Sequence, residues 1–168
     1  MEFRRTTAAD LGSIMDIIRQ AQEYLKNQGI DQWQNNYPST GTILEDIRKG
    51  YGYVLLENNR ILGTVAITFD GDRNYDFIDG KWLTDSPYAA IHRIAVQSGY
   101  KGKGLASVII GNIVRMCQDK GTQSIRVDTH EKNLSMQRLL LKNGFLACGV
   151  IYLQDGAKRL AFEKILQG

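Results

Sequence analysis

The sequence predicts an α/β protein of the α+β type: a mixed, mostly antiparallel sheet of about seven strands with helices on both faces, in one domain over residues 1–168. Three observations predict it. Apolar residues recur at helical spacing in some segments and crowd into short β-branched runs in others. Some runs are joined by turn-length links, which makes hairpins, while others are separated by a helix, which makes crossovers. A chain of 168 residues, 43% hydrophobic and 23% charged, has enough apolar material for one real core.

Glu2–Thr6 is short, carries Phe3 as its inward candidate, and reads as a strand. Thr7 and Asp10 have the spacing of a capping box, and Leu11, Ile14, Met15, Ile18, Ala21 and Leu25 then follow a helical period that Gly29 ends. A polar and aromatic connection holding Trp33, Tyr37 and Pro38 leads to a short helix over Thr42–Lys49. The period then changes. Tyr51–Glu57 and Ile61–Phe69 read as strands about an Asn58-Asn59-Arg60 turn. Gly71–Pro87 is acidic and irregular, the length of a functional loop or of a mobile surface excursion. Tyr88–Val96 is a strand, Gly102–Asp119 a helix, Ser124–Thr129 a strand, and Asn133–Asn143 a helix closed by Gly144. Phe145–Leu153 and Arg159–Ile165 complete the order as strands about Asp155-Gly156.

Composition excludes several classes. Two prolines and two distant cysteines do not suit a collagen-like or disulfide-stapled chain. No window approaches the ~18 apolar residues of a membrane span, and MEFRRTTAAD lacks the apolar core of a signal peptide. The expectation is a cytoplasmic protein without a membrane partner. A formal charge of +3 is far from the basic stripe that nucleic acid demands, so no nucleic-acid partner is expected. Cys117 and Cys148 read as core thiols without metal-ligand spacing, so no metal is expected.

The most informative stretch runs from Ile91-His-Arg-Ile-Ala-Val96 into Ser98-Gly-Tyr-Lys-Gly-Lys-Gly-Leu-Ala-Ser107. A strand stops, glycines cluster with two lysines, and an amphipathic helix begins. Gly102 and Gly104 remove Cβ atoms where a ligand would approach the backbone, and the opening turn of a helix presents unpaired N–H groups with partial positive charge. Such a turn suits a phosphate or pyrophosphate; the plain alternative is a strand-to-helix turn with a glycine hinge. Other phosphate and cation motifs fail at decisive residues. Leu105 stands where a P-loop needs lysine, and Ser107 where a dinucleotide fingerprint needs its third small residue. The Asp70, Asp72, Asn74 run has Tyr75 for the glycine of a calcium loop and Lys81 for its glutamate.

The strand His92–Val96, the turn Lys101-Gly-Lys-Gly-Leu-Ala106 and Asn133 with Gly144-Phe145 resemble the GNAT superfamily of N-acetyltransferases, and the element order matches along the whole chain. The resemblance implies acetyl-coenzyme A as donor, bound where two central parallel strands splay apart. The backbone of Lys101, Gly102, Lys103, Gly104, Leu105 and Ala106 would cradle the pyrophosphate. Ile94, Ala95 and Val96 would take the pantetheine arm, and Asn133 would contact the coenzyme. Lys101 stands where the family usually has Gln or Arg, Ser98 where proline is frequent, and Leu140 where many relatives carry the tyrosine that protonates the departing thiolate.

Acetyl transfer needs a base for the ammonium, a donor for the oxyanion and an exit for the thiolate. Strand alternation puts His92 on the face of Ile94 and Val96, and an imidazole near its ordinary pKa of ~6.5 accepts a proton at neutral pH; the alternatives are a packed histidine or a water chain. The Val96 amide is the oxyanion candidate and Tyr152 the nominated acid. Trp33 and Tyr37 are candidate acceptor-site residues, or a hydrophobic latch. Asp128 and His130 end a strand, where they would shuttle protons, bind the amine, or cap the Asn133 helix. The function expected is acetyl transfer to a primary amine, small molecule or peptide, by direct attack in a ternary complex. The alternative is a catalytically weak coenzyme A sensor. The resemblance also allows a homodimer.

Overall fold

Among the described residues, eight strands join in one sheet, and four α-helices accompany them. The computed structural model describes residues 1–167. In chain order the elements are β1 (Glu2–Arg5), α1 (Leu11–Asn27), α2 (Thr40–Arg48), β2 (Gly52–Glu57), β3 (Arg60–Thr68), β4 (Asp79–Gly80), β5 (Ala89–Val96), α3 (Leu105–Lys120), β6 (Ser124–Thr129), α4 (Leu134–Lys142), β7 (Leu146–Tyr152) and β8 (Lys158–Ile165). The strand order is β1-β2-β3-β5-β6-β8-β7-β4. β5 and β6 are the parallel pair, in register only at Ala89 opposite Ile125 and Ala90 opposite Arg126. The β1–β2, β2–β3, β6–β8, β7–β8 and β4–β7 ladders are antiparallel.

The chain divides into two compact units: Met1–Ile67 with His92–Ile109, and Thr68–Ile91 with the chain from Ile110 onward. In the first unit the apolar side of α1 (Ile14, Met15, Ile17, Ile18) packs with Ile43 of α2, Val54, Leu56, Ile61 and Ala95. Ser39 caps α2, its side chain accepting from the Thr42 amide at 3.3 Å, so that helix starts two residues before the periodicity suggests. Asn58 and Asn59 are both left-handed (φ +52° and +63°), the conformation a two-residue hairpin turn needs, and Arg60 already belongs to β3.

The Thr7–Asp10 spacing does cap a helix start, although a 3-10 turn at Ala8–Asp10 comes before α1. The buried Asp10 carboxylate accepts from the Thr7 amide at 2.8 Å and from both terminal nitrogens of Arg4 at 2.8 and 3.1 Å. Chiefly through the Arg4 hydrogen bonds, its pKa is held below the ordinary aspartate value. The stabilisation is therefore complete above the unfolded aspartate range of ~4 and is lost as pH falls through the lower folded value. Asp10→Asn should lower the melting temperature at pH 7, and the gap from wild type should close in acid; thermal melts over pH 2–7 read both.

In the second unit, the Gly71–Pro87 segment is not a loose excursion. It holds a 3-10 turn at Arg73–Tyr75 and the two-residue strand β4, which raises the count from the expected seven strands to eight. Tyr75 is 1% exposed and packs with Ala90, Ile151 and Ala161. The Trp82 indole donates to the Tyr75 carbonyl at 2.9 Å, and the Tyr88 hydroxyl accepts from the Asp72 amide at 2.8 Å. The acidic composition hid these apolar anchors. β4 meets β7 at Gly80 opposite Gly149, both with positive φ, and a Cβ on Gly149 would run into the Asp79 carbonyl. Two glycines let these backbones approach.

Beneath this segment lies a buried charge network. Glu163, fully buried, accepts from the Ser124 hydroxyl, from Arg126 Nε at 3.1 Å and from the Leu83 amide at 2.6 Å. Arg126 donates its Nη2 to the Thr84 carbonyl at 2.6 Å, and its guanidinium carbon lies 4.2 Å from the Trp82 ring centre and 4.1 Å from that of Tyr88. Cys117 is buried, which pushes its thiol up to about 11, while Cys148 is only half-buried. Among the described residues no helix is long and apolar enough to cross a membrane.

Candidate functional site

The glycine turn lies wholly in the first unit. β5 leaves its ladder at Gln97, whose amide donates to the Leu62 carbonyl at 2.9 Å, and a 3-10 turn at Ser98–Tyr100 follows. Gly102 and Gly104 both adopt φ +77°, so they precede α3 rather than belong to it, and the helix begins at Leu105. A Cβ built on either glycine would meet no atom within 4 Å, which is open space over the turn. The Val108 amide donates to the Gly104 carbonyl at 3.1 Å as α3 closes its first turn. The Leu105 and Ala106 amides precede that bond, in the first turn, where helix amides have no intrahelical acceptor. Left-handed glycines, open space and helix-start amides fit a pyrophosphate.

The turn is held from two directions. On β3, Gly63 leaves room for Ile109 of α3: a Cβ there would stand 2.7 Å from Ile109 Cδ1. From α1, the Gln20 amide group donates to Gln97 Oε1 at 3.1 Å and accepts from the Ser98 amide at 2.8 Å. Two lysines on such a turn suit solvent or a phosphate. The Lys101 Nζ instead lies 3.2 Å from the centre of the Tyr24 ring, and burial lowers its pKa. Lys103 and Arg60 stand over Tyr100, at 5.3 and 5.6 Å. The turn is cationic, but its lysines are engaged by aromatic faces.

His92, Ile94 and Val96 are half-buried on β5, and Ala95 is buried. Between His92 and Ile94 stands Arg93, left-handed at φ +53°. Strict alternation does not carry through such a residue, so the argument that groups His92 with Ile94 and Val96 ends at Arg93. Arg93 itself was not among the expected site residues. Its Nε donates to Asp46 Oδ2 at 2.8 Å and its Nη2 to Asp46 Oδ1 at 2.6 Å, while Nη1 donates to the Tyr37 hydroxyl at 3.0 Å. Burial works against the guanidinium charge, yet the Asp46 hydrogen bonds prevail and raise its pKa. The signal for it was an arginine inside an apolar strand and an aspartate between Ile43 and Ile47, two charges that each need a partner.

The connection before α2 belongs to the same unit. Trp33, Asn35 and Asn36 are all left-handed, and Tyr37-Pro38 is cis. Trp33 packs on the α1 core, as a latch would, while Tyr37 stays 44% exposed with its hydroxyl on Arg93.

The remaining candidates lie in the second unit. Asp128 accepts from the Tyr75 hydroxyl at 2.7 Å; burial first, and Asp128 second, drive the Tyr75 pKa far up. His130 Nδ1 accepts from the Lys132 amide at 3.0 Å, and the His130 carbonyl accepts from the Asn133 amide at 3.0 Å, which makes a strand-end turn. Asn133 is the N-cap of α4, its side chain accepting from the Met136 amide at 3.2 Å. Leu140 is fully buried, and Tyr152 is 56% exposed at the end of β7. Among the described residues no three side chains form a metal-ligating group.

The family described as the acetyltransferase (GNAT) family matches residues 16–145. A GNAT acetyltransferase from Streptococcus agalactiae is 34% identical and superposes with TM-score 0.91, over 99% of this chain and 96% of that one. One from Listeria monocytogenes is 21% identical, TM-score 0.76, over 98% and 94%. The Escherichia coli ribosomal-protein-S18-alanine N-acetyltransferase is 13% identical, TM-score 0.68, over 99% and 94%; this likeness and the previous one speak for the fold alone. No curated protein matches the chain.

Proposed function

The chain belongs to the acetyltransferase (GNAT) family, and from that premise we propose that it is an N-acetyltransferase, a single domain over residues 1–168, moving acetyl from acetyl-coenzyme A to a primary amine in a ternary complex. The observation that carries this reading is the pair of left-handed glycines, Gly102 and Gly104, with open space above them at the start of α3. The Lys101–Ala106 turn receives the pyrophosphate on its backbone amides at Gly102, Gly104, Leu105 and Ala106, since those of Lys101 and Lys103 already donate to the Ser98 and Tyr100 carbonyls at 3.3 Å. Ile94, Ala95 and Val96 line the pantetheine arm. The amine attacks the thioester carbonyl, the Val96 amide stabilises the oxyanion, and His92 takes the ammonium proton directly or through a water. The carbon–sulfur bond then breaks and the thiolate leaves. With a buried leucine at position 140, its proton comes from solvent. Trp33 and Tyr37 form one wall for the acceptor.

Gly104→Val puts a branched side chain into the space reserved for phosphate. It should weaken coenzyme A binding by well over tenfold, about 1.4 kcal/mol or more, and it also strains the free protein, because a β-branched residue is disfavoured at φ +77°. Calorimetry on the folded variant reads the change, and an unaltered affinity removes the phosphate assignment. The function is tested by thiol release from acetyl-coenzyme A against spermidine, 2-phenylethylamine, an aminoglycoside, free amino acids and an alanine-initiated peptide. A second reading, a coenzyme A sensor with weak chemistry, draws on Leu140, which puts no hydroxyl at its position. Tight coenzyme A binding without turnover of any amine would decide for the sensor.

A further inference from the structure

We infer that Arg93 is a positioning residue for acceptor recognition: from its left-handed place on β5 it holds the Tyr37 hydroxyl, and with it the 33–37 connection, in a fixed relation to the strand that carries His92. The inference rests on the acetyltransferase reading above. It begins from an unfavourable backbone. A bulky residue other than glycine rarely adopts positive φ, and such residues persist where the surrounding contacts over-determine them. Arg93 is held by three hydrogen bonds, two of them to one buried carboxylate, Asp46. The bidentate pair fixes the plane of the guanidinium. That leaves Nη1 aimed at one target, the Tyr37 hydroxyl, 56 residues away in the sequence.

Tyr37 sits in a segment whose backbone is itself unusual, with Trp33, Asn35 and Asn36 all left-handed. Trp33 anchors one end of that segment on the α1 core, and the Arg93 bond anchors the other. Because the Tyr37 oxygen accepts from Arg93, its own O–H is left to donate. With the ring 44% exposed, that donor is presented at a defined angle to a molecule arriving from solvent. Asp46 offsets the guanidinium charge, so Arg93 does not act here as a bare cation. It orients a neutral hydroxyl.

Two substitutions separate these roles. Tyr37→Phe removes the hydroxyl and leaves the Arg93–Asp46 pair intact. Arg93→Lys keeps a charge for Asp46 but lacks the fork that reaches both partners. For the panel member that turns over fastest among those carrying a hydrogen-bond acceptor besides the amine (the aminoglycoside, the amino acids and the peptide), both should raise the acceptor KM by up to about tenfold, the worth of one hydrogen bond. In both, kcat and the acetyl-coenzyme A KM should move far less. The double variant should be no worse than either single one, because both break the same bond. Amide exchange over residues 33–37 should quicken in both, while the urea midpoint of Tyr37→Phe stays near wild type. An unchanged acceptor KM in both variants overturns the inference, whatever happens to exchange. A wild-type chain that binds coenzyme A but turns over no amine overturns the reading beneath it instead.

Discussion

His92→Ala should lower turnover by about 10²–10⁴-fold, the usual worth of a positioned general base, with coenzyme A affinity near wild type. The imidazole stands on β5 two residues before Ile94, on the strand that runs into the glycine turn, and no cradle amide belongs to it. The loss should therefore appear in the chemical step and not in donor binding. With the base gone, the acidic limb of the pH–rate profile should flatten, since the proton acceptor that shaped it is absent. Stopped-time thiol release at several pH values reads both effects. Near-normal turnover in the variant at neutral pH would hand the role to water or another side chain. His92→Gln, which keeps bulk and hydrogen bonding without the basic nitrogen, separates a base from a packing residue: a packing role predicts recovery, a base does not.

The largest loss of stability is expected from Arg126→Met. It keeps the volume between the Trp82 and Tyr88 rings but strips Glu163 of its cation in a fully buried place. Removing one partner of a buried pair typically costs about 3–5 kcal/mol, because the remaining charge has no compensation. Urea denaturation should show that drop, and adding Glu163→Gln should recover much of it by removing the stranded carboxylate. A single variant within about 1 kcal/mol of wild type would mean that Ser124 and the Leu83 amide already satisfy Glu163.

Much of the fold was legible because its signals are local. The long period from Leu11 to Leu25, the Asn58-Asn59 turn and the glycine run between a strand and a helix each declare themselves within a dozen residues. The same locality makes the glycine turn the most readable part of the candidate site. The unread features join distant residues. Arg93 and Asp46 lie 47 positions apart, Tyr75 and Asp128 53, Arg126 and Glu163 37. A lone charge in an apolar stretch announces that it needs a partner without saying which. Alternation along β5 cannot be read past residue 93 for a related reason. It assumes regular strand geometry, and one left-handed arginine held by long-range bonds is enough to break it. In the Gly71–Pro87 segment, five aspartates in and beside it outweigh Tyr75, Trp82 and Tyr88 in the sequence, the residues that pin it.

The two-residue strand β4 covers a sheet edge that other molecules could otherwise extend. β7 would otherwise be the outermost strand, with Leu146 and Tyr152 both exposed along it. An open strand of that kind recruits strands from other molecules. β4 occupies the middle of that edge at Gly149 and Val150, and the Lys81 amide takes the Cys148 carbonyl at 3.0 Å. So short a ladder cannot hold itself. Its place is kept by Tyr75 on one side and by the Glu163–Arg126 network on the other. Conditions that loosen those anchors uncover a sticky edge while the other ladders are still paired. Clouding on heating should therefore precede the loss of secondary structure, and storage conditions that shield the β7 edge should matter more for shelf life than those that raise the melting temperature.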